Sequence, residues 1–269
     1  GVDYRSLGEV PNSAYDDVFL CTPDSEKQEL LFELISMGKN VLVEKPLHLS
    51  AEEYQELIAL QRVSGSTVYV AYNHRFEPQV AELKNIIDSG ELGQVYTISM
   101  SYGNGTAGQV RESPWRDSGL GVIADLGSHL LDLVIFLDSL ADRQISFLDA
   151  QRIENKACDH AVWGLSGYPK VHLQTSLLSW KNSFHCEIVA SEGSASVSGL
   201  CKWGPSVLHI NYRRRPSGRP DQREKSLILD DPTWAAELAY FSKLIAQQAP
   251  GNIEDSRQIS KILDEVTAP

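Results

Sequence analysis

Between residues 16 and 90, short apolar runs alternate with amphipathic stretches that carry their own helix start and stop signals. This alternation limits the fold more than any other feature. "DDVFLCTPD" reads as a strand, followed by "SEKQELLFELISMGK", in which Ser25 and Gln28 are spaced as a capping box, Leu30, Leu31, Leu34 and Ile35 form an apolar face, and Gly38 supplies a stop. "NVLVEKP" is a second strand, and Ser50 with Glu53 makes a capping box ahead of Tyr54, Leu57, Ile58 and Leu60. "TVYVAYNHRF" and "EPQVAELKNIIDSG" repeat the pattern, with Pro78 in the first helical turn and Gly90 after the last. Short apolar strands separated by helices predict a parallel sheet covered on both faces, joined by right-handed crossovers.

From about Gln94 the texture changes. "QVYTISMSYG", "KVHLQTSLLSW", "SFHCEIVAS", "SASVSGL", "SVLHINYRR" and "KSLILDD" are strand-like, several of them alternating apolar with polar residues, and most are separated only by turn residues. This predicts a large, mainly antiparallel open sheet. An apolar helix, "ADLGSHLLDLVIFLDS", precedes most of it, and "TWAAELAYFSKLIAQQ" and "SRQISKILDEV" follow. The expected organisation is an α/β domain over residues 1–75 and an α+β domain over 76–269.

The chain has 269 residues and a formal charge of −12, which disfavours a nucleic-acid backbone as partner. No uninterrupted apolar stretch is long enough to span a bilayer, and the N-terminus lacks a basic segment followed by an apolar one, so no membrane partner is expected. Cys21, Cys158, Cys186 and Cys201 are widely spaced, which indicates neither a disulfide framework nor a zinc knuckle and fits a reducing cytoplasm.

Two constellations carry chemistry. In parallel α/β sheets, ligands bind outside the carboxyl ends of the strands. "CTPD" places Thr22 and Pro23 at one such end, and "EKP" places Glu44, Lys45 and Pro46 at the next. A lysine there can donate hydrogen bonds to a carbonyl or hydroxyl oxygen, although a solvated lysine paired with Glu44 satisfies the same pattern. In "GLGVIADLGSHLLDL", Asp125, His129 and Asp132 fall within about 60° of one another on a helix that is otherwise apolar. A histidine one turn after an acid is a plausible general base; a core histidine satisfied by its neighbours is the alternative. No further histidine or cysteine at ligand spacing accompanies the stripe, so no metal is expected.

Two other stretches are read as ordinary. "GNGTAG", residues 103–108, matches a phosphate-binding glycine pattern, but "QVRESPWRDSGLG" follows in place of an amphipathic helix, and a flexible loop is expected. "NYRRRPSGRPDQREK" is strongly basic and reads as a solvated hairpin tip.

Taken in order, "TPD…GKNVLVEKPL", "AYNHRFEP…IIDSGELGQV", "WRDSGLG" and "DLGSHLLDL" resemble the Gfo/Idh/MocA oxidoreductase family, named after glucose-fructose oxidoreductase and inositol dehydrogenase. The resemblance runs from about residue 16 to residue 133, and "ASEGSASVSGL" agrees with the family's second domain. It implies a Rossmann domain, NAD or NADP as hydride carrier, a sugar, cyclitol or sugar derivative as substrate, and a homo-oligomer, dimer or tetramer, built through the open sheet. It also implies roles: Lys45, His129 and Asp125 in catalysis; Thr22, Pro23, Glu44, Lys45, Asn73, Trp115 and Arg116 on the cofactor side; and Lys45, Arg75, Asp125 and His129 around substrate. A cis bond before Pro46 is a further implication, fixing the direction of Lys45.

The chain departs from the family at its start. About 15 residues precede the first strand, where a strand, a Gly-rich turn and a helix belong, so some 60 residues holding the phosphate cradle are absent at roughly 30 per strand-helix-strand unit. The expectation is a piece of a longer enzyme, with a shortened, non-redox sugar-binding or oligomerising module as the alternative. Lys27 also stands near where relatives often carry histidine. Cofactor-assisted glycoside cleavage would use the same residues.

Overall fold

The computed structural model describes residues 3–266. The chain divides into two compact units: residues up to Ala71 together with Glu237–Ser260, and Tyr72–Ala236 together with the stretch from Lys261 onward.

The first unit is built on three parallel strands, β1 (Asp17–Leu20), β2 (Asn40–Glu44) and β3 (Val68–Ala71), in the order β1-β2-β3. Val41, Leu42 and Val43 are buried and β3 is buried throughout, which is why these strands read as unbroken apolar runs. Helix α1 (Asp24–Ser36) follows β1 and α2 (Ala51–Ser64) follows β2. The capping box of Ser50 and Glu53 is formed as expected. The one expected at Ser25 is not: Pro23 enters the helix with φ −53° and ψ 152°, so helical geometry begins at Asp24 and Ser25 lies inside the first turn.

The outer edge of β3 is met by a segment distant in sequence. Gly251 bridges Val68, and the Asn252 side chain accepts from the Val70 amide at 2.6 Å while donating to the Val70 carbonyl at 2.9 Å. Residues 237–260 therefore complete the first unit, bringing the later part of helix α6 (Thr233–Ala246) and the start of α7 (Ile253–Asp264) with them.

The second unit holds an eight-stranded sheet. In chain order its strands are β4 (Val95–Gly103), β5 (Ile145–Gln151), β6 (His160–Leu165), β7 (Lys170–Ser176), β8 (Ser183–Ala190), β9 (Gly193–Ser198), β10 (Ser206–Tyr212) and β11 (Asp221–Leu227). In space they run β11-β10-β9-β8-β4-β7-β6-β5, antiparallel except where β4 meets β7. Helices α3 (Pro78–Ser89) and α5 (Val122–Leu137) pack on one face, against Ile98, Met100, Trp163, Leu173, Ile188 and Val197. Ser99, His172, Glu187 and Ser196 alternate onto the other face.

Two strands, β5 and β6, are absent from the expected set. Gly164, under the Phe147 ring, interrupts the alternation that would have marked β6. Strand β11 falls on "DQREKSL" and shares only Lys225–Leu227 with "KSLILDD", because pairing with β10, not hydrophobicity, selects it; it is a polar, exposed edge. The basic run is a turn whose arginines meet acids, Arg214 with Asp221, Arg215 with Glu192 and Arg223 with Glu82. "GNGTAG" is not wholly irregular: Asn104 Oδ1 accepts from the Thr106 amide and hydroxyl, and a short helix, α4 (Ala107–Arg111), follows. A Cβ at Gly105 would lie 2.6 Å from the Ser179 carbonyl, so that glycine serves close packing.

Candidate functional site

In the first unit, Leu20 pairs with Val43 and Glu44 with Ala71, so Thr22, Pro23, Glu44 and Lys45 all leave the sheet at its carboxyl edge. Glu44, Lys45 and Pro46 are half-buried and the Lys45–Pro46 peptide is cis. The loop after Lys45 is held at successive carbonyls. Lys27, buried in the first turn of α1, donates from Nζ to the Pro46 carbonyl at 2.9 Å and to Asp24 Oδ1 at 2.6 Å. The Leu47 carbonyl accepts from the Tyr54 hydroxyl at 2.7 Å and the Ser260 hydroxyl at 3.1 Å. Lys27 therefore acts at this edge by tying the start of α1 to the residue after Lys45.

This edge fits the ribose and nicotinamide end of a dinucleotide. The Thr22 hydroxyl is buried and has no hydrogen-bond partner among the described residues, which suits it to a ribose hydroxyl. The first turn of α1 carries Asp24 and Glu26, which would repel a pyrophosphate there.

In the second unit the other expected residues gather on α5 and around it. The start of α5 is fixed by the "WRDSGLG" loop. Gly121 has φ +54°, and a Cβ there would overlap the Cys158 carbonyl, which accepts from the Val122 amide at 2.8 Å. Buried Asp117 accepts from the Ala157 amide at 2.8 Å. Trp115 and Arg116 remain exposed; Arg116 lies 5.9 Å over the Trp115 ring and 3.8 Å from Asp125 Oδ2.

One turn beyond the half-exposed Asp125, His129 is buried within an aromatic group. Its ring stacks on that of His74 at 4.2 Å and 22°, with Tyr72 and Tyr102 edge-on, each at 5.9 Å. Burial, and then the Asp125 carboxylate, push the Tyr102 phenol above its usual range, so it remains a hydrogen-bond donor.

Asp132 is engaged elsewhere than the stripe anticipates. It is fully buried and takes Arg75, whose Nε donates to both carboxylate oxygens at 2.9 and 2.8 Å and whose Nη2 donates to Oδ1 at 2.6 Å. Arg75 and Asp132 thus lock the 3-10 turn at Asn73–Phe76 to α5. Asn73 is buried and donates to the Thr233 hydroxyl at 2.8 Å. Sequence reasoning missed His74 and Tyr102; His74 stands inside the quoted "YNHRF", but its partner lies on α5. Among the described residues no group of three His, Cys, Asp or Glu could hold a metal ion, and no helix is long and apolar enough to cross a membrane.

Residues 2–72 match the model of an oxidoreductase family with an NAD-binding Rossmann fold, and residues 80–196 match the GFO/IDH/MocA C-terminal domain. The chain is 29% identical over 215 residues to trans-1,2-dihydrobenzene-1,2-diol dehydrogenase of Oryctolagus cuniculus, covering 79% of this chain and 64% of that protein. It is 29% identical over 160 residues to scyllo-inositol 2-dehydrogenase (NADP(+)) IolW of Bacillus subtilis (strain 168), covering 58% of this chain and 44% of that protein. The chain thus spans less than two thirds of the length of these relatives. A solved structure of levoglucosan dehydrogenase in complex with NADH and levoglucosan shares the fold, with a TM-score of 0.79 at 19% identity over 93% of this chain and 77% of that one. With both domain models matched in order along one sequence, the chain belongs to the Gfo/Idh/MocA oxidoreductase family.

Proposed function

We propose that the protein is an NAD- or NADP-dependent dehydrogenase that moves a hydride between nicotinamide and a hydroxyl or carbonyl carbon of a sugar, cyclitol or sugar derivative. The observation that carries this reading is the carboxyl edge of the parallel sheet, where an orphaned Thr22 hydroxyl stands beside the strand exit bearing Glu44 and Lys45. Names among the relatives support the substrate class, an inositol dehydrogenase and a levoglucosan complex among them.

Thr22, Pro23 and Glu44 would lie against the cofactor's ribose, with Asn73, Trp115 and Arg116 as further cofactor contacts. When bound, nicotinamide supplies the hydride-accepting carbon. Lys45 binds the reacting oxygen through its ammonium, stabilising negative charge as the oxygen loses its proton. His129 takes that proton, and Asp125, one turn earlier, favours the imidazolium that forms. Arg75 contributes to substrate binding through the turn that it holds against α5. A homo-oligomer formed through the uncovered face of the eight-stranded sheet belongs to the same reading.

Nicotinamide absorbance, followed with a panel of sugars, cyclitols and their ketones, tests it. Turnover with at least one of these is expected, and His129→Ala should lower it by about 10² to 10⁴-fold. Absence of nicotinamide turnover across the panel, with the folded protein binding a sugar alone, would favour a non-redox binding module.

A further inference from the structure

We propose that Tyr54, Ser256 and Ser260 are positioning residues for Lys45: their buried hydroxyls gather on the Leu47 carbonyl and so fix, through Pro46, where the lysine stem leaves the strand. The proposal deepens the reading of Lys45 as the group that binds the reacting oxygen and rests on it for its catalytic meaning.

The hydroxyls come from two helices. Tyr54 stands in the first turn of α2, and helical side chains lean toward the helix N-terminus, so its phenol reaches back over the loop that feeds the helix. Ser256 and Ser260 are one turn apart on α7 and share a face. All three side chains, and Leu47 itself, are buried. The Tyr54 hydroxyl donates to the Leu47 carbonyl at 2.7 Å. The Ser260 and Ser256 hydroxyls lie 3.1 and 3.4 Å from the same carbonyl oxygen, and 3.1 and 3.0 Å from the Tyr54 oxygen. With Tyr54 and Ser260 donating to the carbonyl's two lone pairs and Ser256 donating to Tyr54, every hydroxyl proton has an acceptor.

One donor is enough to satisfy a buried carbonyl, and apolar side chains would fill the remaining space at less desolvation cost. Converging hydroxyls add direction, because a tilt of the carbonyl weakens several linked bonds at once. The preceding carbonyl is gripped as well: Pro46 accepts from the buried Lys27 ammonium at 2.9 Å, while Gln28, next on α1, donates to Glu53 of the α2 capping box at 2.6 Å. The ring of Pro46 fixes its φ, so little torsional freedom remains between Lys45 and the held carbonyls. Anchors from α1, α2 and α7 thus meet on two neighbouring carbonyls, and the residue just before them is the lysine. Contacts of the ammonium itself act on a stem rooted there. The precision matters, since a misplacement of about 1 Å can lower turnover by about 10²-fold.

Lysine Cε resonances of the isotopically labelled protein, with Lys45 assigned through Lys45→Arg, read the position without substrate or cofactor. In Tyr54→Phe, which keeps the ring and removes one donor, and in Ser260→Ala, the Lys45 resonance should move while that of Lys84, on α3, stays. Tyr54→Phe should also lower kcat by about 10-fold, a larger change than in KM, and add little in a Lys45→Ala background. If Tyr54→Phe does not fold, Ser260→Ala carries the same tests. An unmoved Lys45 resonance in the folded variants, or a loss of kcat equally large without Lys45, would overturn the proposal and leave the hydroxyls as partners of a buried carbonyl only. Natural turnover in Lys45→Ala, with the Lys45 resonance still moved in Tyr54→Phe, would remove the catalytic reading and leave the positioning standing, so the two failures are distinguishable.

Discussion

The three-stranded parallel sheet and the eight-stranded mixed sheet place their polar residues by different means. In the first, Thr22, Glu44 and Lys45 are where they are because strands end there, and the same strand-helix run supplies much of what holds them: Lys27 on Pro46, 19 positions away, and the capping box at Ser50 just beyond, with Ser260 on Leu47 added from far along the chain. In the second, the strands supply a platform, and the chemistry lies on α5 and on the turn at Asn73–Phe76, joined by contacts between residues some 55 to 57 positions apart. The strand ends of the first arrangement can be read along the chain, although Ser260 and Asn252 brace it from a distance. The second exists only once long-range packing has formed, and it depends on a buried ion pair.

That difference sets the size of the expected mutational effects. Asp132→Ala leaves the mostly buried Arg75 guanidinium without its bidentate partner, a change that costs about 3 to 5 kcal/mol. Amide hydrogen exchange should show the loss in α5 and in residues 73–76. Unchanged protection there would show that the second region is also held locally, and would break the comparison.

Ser50→Ala removes one cap from α2 and should cost about 1 kcal/mol, seen as faster exchange confined to the first turn of that helix. The same box gives a pH dependence. The Ser50 amide, and then Gln28 and the Ser50 hydroxyl, hold the Glu53 carboxyl below its usual range. A carboxyl whose value is lowered by folding contributes stability above the ordinary glutamate value and loses it as pH falls through the lowered one. Protection of that first turn, corrected for the pH dependence of intrinsic exchange, should therefore fall on acidification in the natural protein and respond less in Glu53→Gln, which cannot ionise. A pH response of equal size in both would mean that the box does not hold Glu53.

The same physics explains what was legible in the sequence. Val41 to Val43, the cap at Ser50, Pro78 and Gly90 each act within a few residues, so strand and helix ends could be read directly. Helix α5 was legible because its apolar face is long. The partner of Asp132 was not, because helical spacing alone set it beside Asp125 and His129, whereas Arg75 reaches it from another element. Nor was the stacking of His74 on His129, which needs the turn and the helix already packed together. Strand β11 escaped because register with β10 outweighs its lack of apolar residues, and the return of residues 237–260 to the first unit rests on Gly251 and Asn252 at the edge of β3.

In the proposed function Lys45 and His129 act in the same step of turnover. A double-mutant cycle on kcat/KM, with Lys45→Ala, His129→Ala and the combined variant, tests it most directly. Residues acting as a unit give a combined loss little greater than the larger single loss. Losses that multiply, each residue costing the same with or without the other, would contradict the claim.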